Sequence, residues 1–148
     1  MMNKFVLAIA AAVLILSGSV IAANAQSKKP WTAPKTGVWR VKAKDEENKV
    51  WKGRLTLNRR PGGKYRGYFS WVDAEKTTSG REYFNGRFNR STGKLRFRGY
   101  AVKNIKGELG TGDYVAAVSR QGRNISRGSW GGGNSIPGKW SAVWLKAR

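Results

Sequence analysis

Four carboxylates, Asp73, Glu75, Glu82 and Asp113, lie among strand-forming and aromatic residues in a chain with no histidine and no cysteine. Two carboxylates are enough for glycoside hydrolysis, one as acid and one as base or nucleophile, so a pair drawn from these four is the catalytic constellation that the composition leaves open. Glu82 is the most informative of them. It stands two residues before Phe84, and in an extended strand such positions share a face, so it leans inward with the phenyl ring. Burial there disfavours its charge unless a cation compensates, and Arg81 or Lys103 is the expected partner. A structural ion pair is the expectation for Glu82, since such pairs perturb carboxylates as catalytic sites do. Without His and Cys the chain lacks the commonest metal ligands, the thiol nucleophile and the side chain that titrates near neutrality. We expect no enzyme, no cofactor and no metal site. Asp45-Glu-Glu-Asn48 lacks the spaced ligands and turn glycine of a calcium loop. Gly131 to Gly138 is glycine-rich but precedes a strand, not the helix N-terminus that a nucleotide loop needs.

The elements that must position these groups alternate. In Leu95-Arg-Phe-Arg-Gly-Tyr100, residues Leu95, Phe97 and Gly99 share one face and Arg96, Arg98 and Tyr100 the other. The same half-buried pattern recurs at Trp51 to Leu55, Tyr65 to Phe69, Phe84 to Phe88 and Pro137 to Trp140. Eight such runs are predicted, at Gly37 to Lys44, Val50 to Asn58, Lys64 to Val72, Arg81 to Asn89, Lys94 to Val102, Asp113 to Ser119, Asn124 to Trp130 and Gly138 to Lys146, with hairpin-sized breaks rich in Gly, Asn, Asp, Ser and Pro. An antiparallel meander is the economical topology, and closing it removes both exposed edges. The predicted fold is therefore all-β, a single eight-stranded antiparallel up-and-down barrel over residues 37–148. Gly53, Gly67, Gly86 and Gly99 fall on its inner face, where a missing side chain lets a small barrel bend and a neighbouring ring fill the gap. Trp39, Trp51, Tyr65, Phe69, Trp71, Phe84, Phe88, Phe97, Trp140 and Trp144 are the candidate interior. A filled core is expected of so many rings, and any pocket should open at the rim with the longer connections.

Charge then sorts by rim. Lys plus Arg number 29 against 8 Asp plus Glu, a net +21 over 148 residues. In a meander every carboxylate falls in or beside the odd-numbered connections. The opposite rim collects Arg59, Arg60, Lys64, Arg90, Lys94, Arg120 and Arg123, and the outer wall carries Arg66, Arg96 and Arg98. Such a cluster repels itself and concentrates polyanions around it. These ten residues are the candidate polyanion site, with an anionic polymer or membrane surface as the expected partner; cations that merely solvate the barrel are the alternative.

Ahead of the barrel, Lys4, the apolar run Phe5 to Leu16 and Ala23-Asn-Ala25 make the three parts of a secretory signal peptide over residues 1–25, cleaved after Ala25. An exported chain is expected, periplasmic or secreted, that keeps no transmembrane insertion after cleavage. Residues 26–36, with two prolines and three lysines, read as an extended basic arm. At Gly37-Val38-Trp39 the chain resembles the calycins, the lipocalins and avidins with their Gly-x-Trp first strand. That resemblance implies that Trp39 closes one end of the barrel and that a small ligand could be carried inside. The chain also looks somewhat like the small barrel inhibitors of secreted metalloproteases, which send an N-terminal arm into the enzyme, though it lacks their disulfide.

Overall fold

The computed structural model describes residues 28–148. The signal peptide expected over residues 1–25 and the first residues of the arm lie outside them. Eight strands follow in order: β1 (Gly37–Asp45), β2 (Val50–Arg60), β3 (Lys64–Asp73), β4 (Ser79–Asn89), β5 (Lys94–Lys106), β6 (Asp113–Val118), β7 (Asn124–Gly131) and β8 (Gly138–Lys146). Each pairs antiparallel with the next, and β1 pairs with β8, from Val38 opposite Lys146 to Asp45 opposite Gly138, so the sheet is a closed barrel. Closure gives every strand a partner on both sides.

The alternation sets the core. Leu55, Tyr65, Phe69, Phe84, Leu95, Phe97 and Trp140 point inward and are buried. Phe69 sits at their centre, with ring centroids 4.9 Å from Trp71, 5.3 Å from Phe84 and 4.8 Å from Tyr114. Trp51 and Trp144, also expected inside, are only partly buried against this cluster. Close backbone approach explains two of the inward glycines. A Cβ on Gly86 would stand 2.4 Å from the Phe97 ring, and one on Gly67 would stand 1.8 Å from the Thr56 carbonyl oxygen. Neither site has room for a side chain.

β4 and β5 are longer than their composition suggests. β4 begins at Ser79 and β5 runs on to Lys106. Their register shifts between Tyr83 and Phe84, which face Ala101 and Gly99, so Tyr100 is an extra residue bulged outward and 60% exposed. The bulge restores the inward phase of Val102 opposite Glu82 beyond it.

The odd connections gather at one rim. Glu46 N–H donates to Pro137 O at 2.9 Å and Ala74 N–H to Val50 O at 2.9 Å. At the other rim residues 28–36, without regular structure, lie across the barrel end. Trp31 N–H donates to Arg90 O and Lys35 N–H to Gly122 O, at 2.8 and 3.0 Å. Three inner side chains donate to the same segment: Trp39 Nε1 to Lys35 O, Tyr65 Oη to Pro34 O and Trp144 Nε1 to Thr36 O. This part of the arm is a docked cover, because the Lys35 and Pro34 carbonyls accept from Trp39 and Tyr65, donors that would otherwise be orphaned near the core.

Candidate functional site

Above the packed rings, at the rim of odd connections, the barrel opens into a cavity of about 190 Å3. Trp51, Trp71, Tyr114 and Trp130 wall it, Glu82 lies at its floor, and Glu47 and Glu108 stand exposed at its mouth, beside the buried Asp45 and the half-buried Lys49. The interior is thus filled toward the arm and hollow toward this rim. The sequence expectation of a filled core holds for one part of the barrel only.

Glu82 is 1% exposed. The ion pair expected with Arg81 or Lys103 does not form; both cations project from the outer wall, exposed and opposite each other. Three neutral donors hold the carboxylate instead. Oε2 accepts from Tyr114 Oη at 2.5 Å and, at a longer 3.4 Å, from Trp71 Nε1, while Oε1 accepts from Gly112 N–H at 2.8 Å. Gly99 leaves the room, since a Cβ there would lie 2.4 Å from Oε1. Burial pushes the Glu82 carboxyl up from its ordinary value, against the pull of Tyr114, Gly112 and Trp71, with Asp113 adding to the rise. Tyr114 is likewise pushed well up, first by burial and then by the Glu82 charge.

The other carboxylates have separate partners. Asp73, itself buried, accepts from the Thr77 hydroxyl, from Thr77 N–H at 2.7 Å and from Thr78 N–H at 3.0 Å, and Lys49 Nζ lies 3.5 Å away. Burial works against its charge, but the two threonines and Lys49 prevail and hold it at about 2. Asp45 folds its own hairpin by accepting from Glu47 N–H, Lys49 N–H and Trp51 Nε1. Asp113 points outward to Arg98 at 3.5 Å, and Glu75 is exposed on its loop. The structure does not assemble Asp73, Glu75, Glu82 and Asp113 into one acid–base pair.

Of the ten basic residues proposed from sequence, Arg59, Arg60, Lys64, Arg90, Lys94, Arg120 and Arg123 do collect at the arm end, and Arg66, Arg96 and Arg98 lie on the wall; all are exposed. Three of them serve the fold. Arg120 stacks 3.5 Å over Trp31 and donates to Lys29 O at 2.7 Å, Arg90 donates to Trp31 O at 3.4 Å, and Arg123 lies 5.3 Å over Trp144. Part of the basic rim is therefore occupied by the chain's own arm. Sequence reasoning missed Tyr114, Trp130 and Gly112. Tyr114 was legible, because Tyr114, Ala116 and Val118 alternate inward with Val115 out. Trp130 reaches the cavity from a strand end, and Gly112 reaches Glu82 from a connection, where periodicity carries no signal.

Comparison with solved structures shows the same architecture. A redesigned beta barrel, mFAP1, bound to DFHBI, superposes with a TM-score of 0.57 at 8% identity, over 74% of this chain and 94% of that one. EF1p2_mFAP2b bound to DFHBI gives 0.54 at 10% identity, over 76% and 93%. At such identities the likeness is one of fold. No protein-family model matches the chain, and no curated protein matches it.

Proposed function

We propose that this is a calycin-like, non-enzymatic binding protein that holds a compact molecule with a protonated amine end in the cavity at its acidic rim. The observation that carries it is Glu82: a buried carboxylate, held among the described residues by neutral donors alone, at the floor of an open, aromatic-walled cavity. A buried charge is costly unless paired, and an ammonium group entering from the mouth supplies the missing partner. Indole faces favour a cation further. Lys49 already shows this preference within the chain, with Nζ 5.4 Å over the Trp51 ring. Four carboxylates, Asp45, Glu47, Glu82 and Glu108, line the cavity against one ammonium, although the whole chain is strongly basic. Pockets with aromatic walls and a few convergent polar groups are the usual form of a small-molecule site. That both structural neighbours are bound to DFHBI supports a ligand role for a barrel of this shape.

Export through residues 1–25 remains part of the proposal. The docking of residues 28–36 on the barrel speaks against an inhibitor that inserts this segment into an enzyme. The test is an affinity series with benzylammonium, benzyl alcohol and benzoate, measured by tryptophan fluorescence. The ammonium should bind best and the benzoate least, and Glu82→Gln should remove the difference between ammonium and alcohol. Equal affinities, or preference for benzoate, would overturn the proposal.

A further inference from the structure

Register places like charges face to face on the outer wall. Arg60 of β2 is opposite Lys64 of β3, Lys64 is opposite Arg87 of β4, and Arg87 is opposite Arg96 of β5. Four cations thus form one unbroken row across four strands, about 14 Å from end to end at the usual strand spacing. Directly opposed like charges destabilise a sheet, so the row is a standing cost to the fold. Two residues along, Arg66 and Arg98 flank Asn85 in a second row. One acid, Asp113, stands at the trough described below and meets Arg98 in a pair exposed on both sides and so of little strength. Elsewhere on the wall opposed cations come in twos, as at Arg40 with Arg54 and Lys42 with Lys52.

The six side chains of Arg60, Lys64, Arg66, Arg87, Arg96 and Arg98 stand around a trough of about 990 Å3 on this wall. We propose that this trough binds a linear chain of closely spaced phosphate groups, laid across the strands along the row from Arg60 to Arg96. Guanidinium forks match phosphate oxygens in pairs, and five of the six cations are arginine. A trough seats a chain, whereas a bilayer surface presents a plane. The site is separate from the cavity at the acidic rim; it shares Arg60 and Lys64 with the basic barrel end, but the arginines that the arm engages there, Arg90 and Arg120, do not line the trough.

The experiment uses inorganic polyphosphate and the barrel with residues 28–36 in place. Binding should weaken with added salt, with a logarithmic slope of about 3 for four phosphate contacts. Arg87→Gln with Arg96→Gln should weaken binding at least tenfold and lower the slope by about 1 for each arginine removed. The same pair of substitutions should leave the free protein at least as resistant to heat, since it relieves repulsion; this reading also shows directly that the variant is folded. Arg40→Gln with Arg54→Gln, off the row, should leave the affinity within about twofold. A single-stranded oligonucleotide of matched charge separates the sources of the phosphates: binding through the same arginines supports the shared chemistry. Polyphosphate affinity unchanged in the row variant, loss of thermal stability in that variant, or tighter binding to anionic phospholipid vesicles than to either chain would overturn the proposal.

Discussion

The contact between Glu82 and Tyr114 is the joint on which the cavity floor depends, and it is open to a double-mutant cycle. Tyr114→Phe removes one hydroxyl and leaves the buried ring in place, so it deletes the 2.5 Å hydrogen bond and little packing. Hydrogen bonds to charged groups contribute about 1.5–3 kcal/mol, so a loss of about 2 kcal/mol is expected. Glu82→Gln keeps the shape but offers a single acceptor oxygen to donors that approach both carboxylate oxygens. If that oxygen faces Gly112 N–H, the amide NH2 meets the Tyr114 hydroxyl, and the Trp71 indole loses its acceptor. An orphaned buried donor costs about 1–3 kcal/mol, offset in part by removal of a desolvated charge. Each single variant already loses the bond between the two side chains, so the double variant loses it only once and should be more stable than the sum of the singles by at least about 1 kcal/mol. Urea unfolding followed by tryptophan fluorescence supplies all four stabilities. Additivity within about 0.4 kcal/mol would refute an energetically coupled pair.

Titration gives two further expectations of opposite sign. Glu82 is raised in the fold, so the folded state holds its proton more tightly and stability falls as pH climbs from the unfolded value of the carboxyl through the folded one. Glu82→Gln should flatten that limb of the stability profile, and an unaltered profile would count against burial as the cause. Asp73 is depressed to about 2, so its contribution is present above the ordinary carboxylate value and lost as pH falls from about 4 toward 2. Asp73→Asn should remove the acid-side loss and destabilise the protein at neutral pH, as judged by denaturant midpoints. At the other rim Gly93, with φ of +71°, would place a Cβ 2.5 Å from Trp31 Nε1. Gly93→Ala should destabilise by more than about 1 kcal/mol, through backbone strain and displacement of the arm. Protease cleavage within residues 28–36 should become faster, and unchanged protection would show that the cover does not rest on that contact.

Strand phase was the readable part of this chain. Leu95, Phe97 and Gly99 against Arg96, Arg98 and Tyr100 announce a half-buried strand, and seven repetitions of that pattern with short polar breaks leave a closed meander as the economical solution. The ends of β4 and β5 were not readable. Ser79-Gly80 and Lys103 to Lys106 do not alternate, and they are strands because they pair with each other. For Glu82 the phase with Phe84 gave the inward direction, but its surroundings were read wrongly. A nearby cation was expected, whereas the donors come from β3, β6 and the connection before β6, which only closure of the barrel brings together. The arm shows the same division: prolines and lysines indicate an irregular segment, and nothing local reveals that Trp31 will lie between Gly93 and Arg120.

The central claim is that the cavity over Glu82 receives an amine-bearing ligand, and the seven tryptophans offer a direct reading of it. In a proton–nitrogen NMR titration with benzylammonium, the indole signals of Trp51, Trp71 and Trp130, which line the cavity, should shift together and saturate. Those of Trp31, Trp39 and Trp144, at the arm end, should stay in place. Shifts led by the arm-end indoles, or no saturable change in the cavity indoles, would contradict the account.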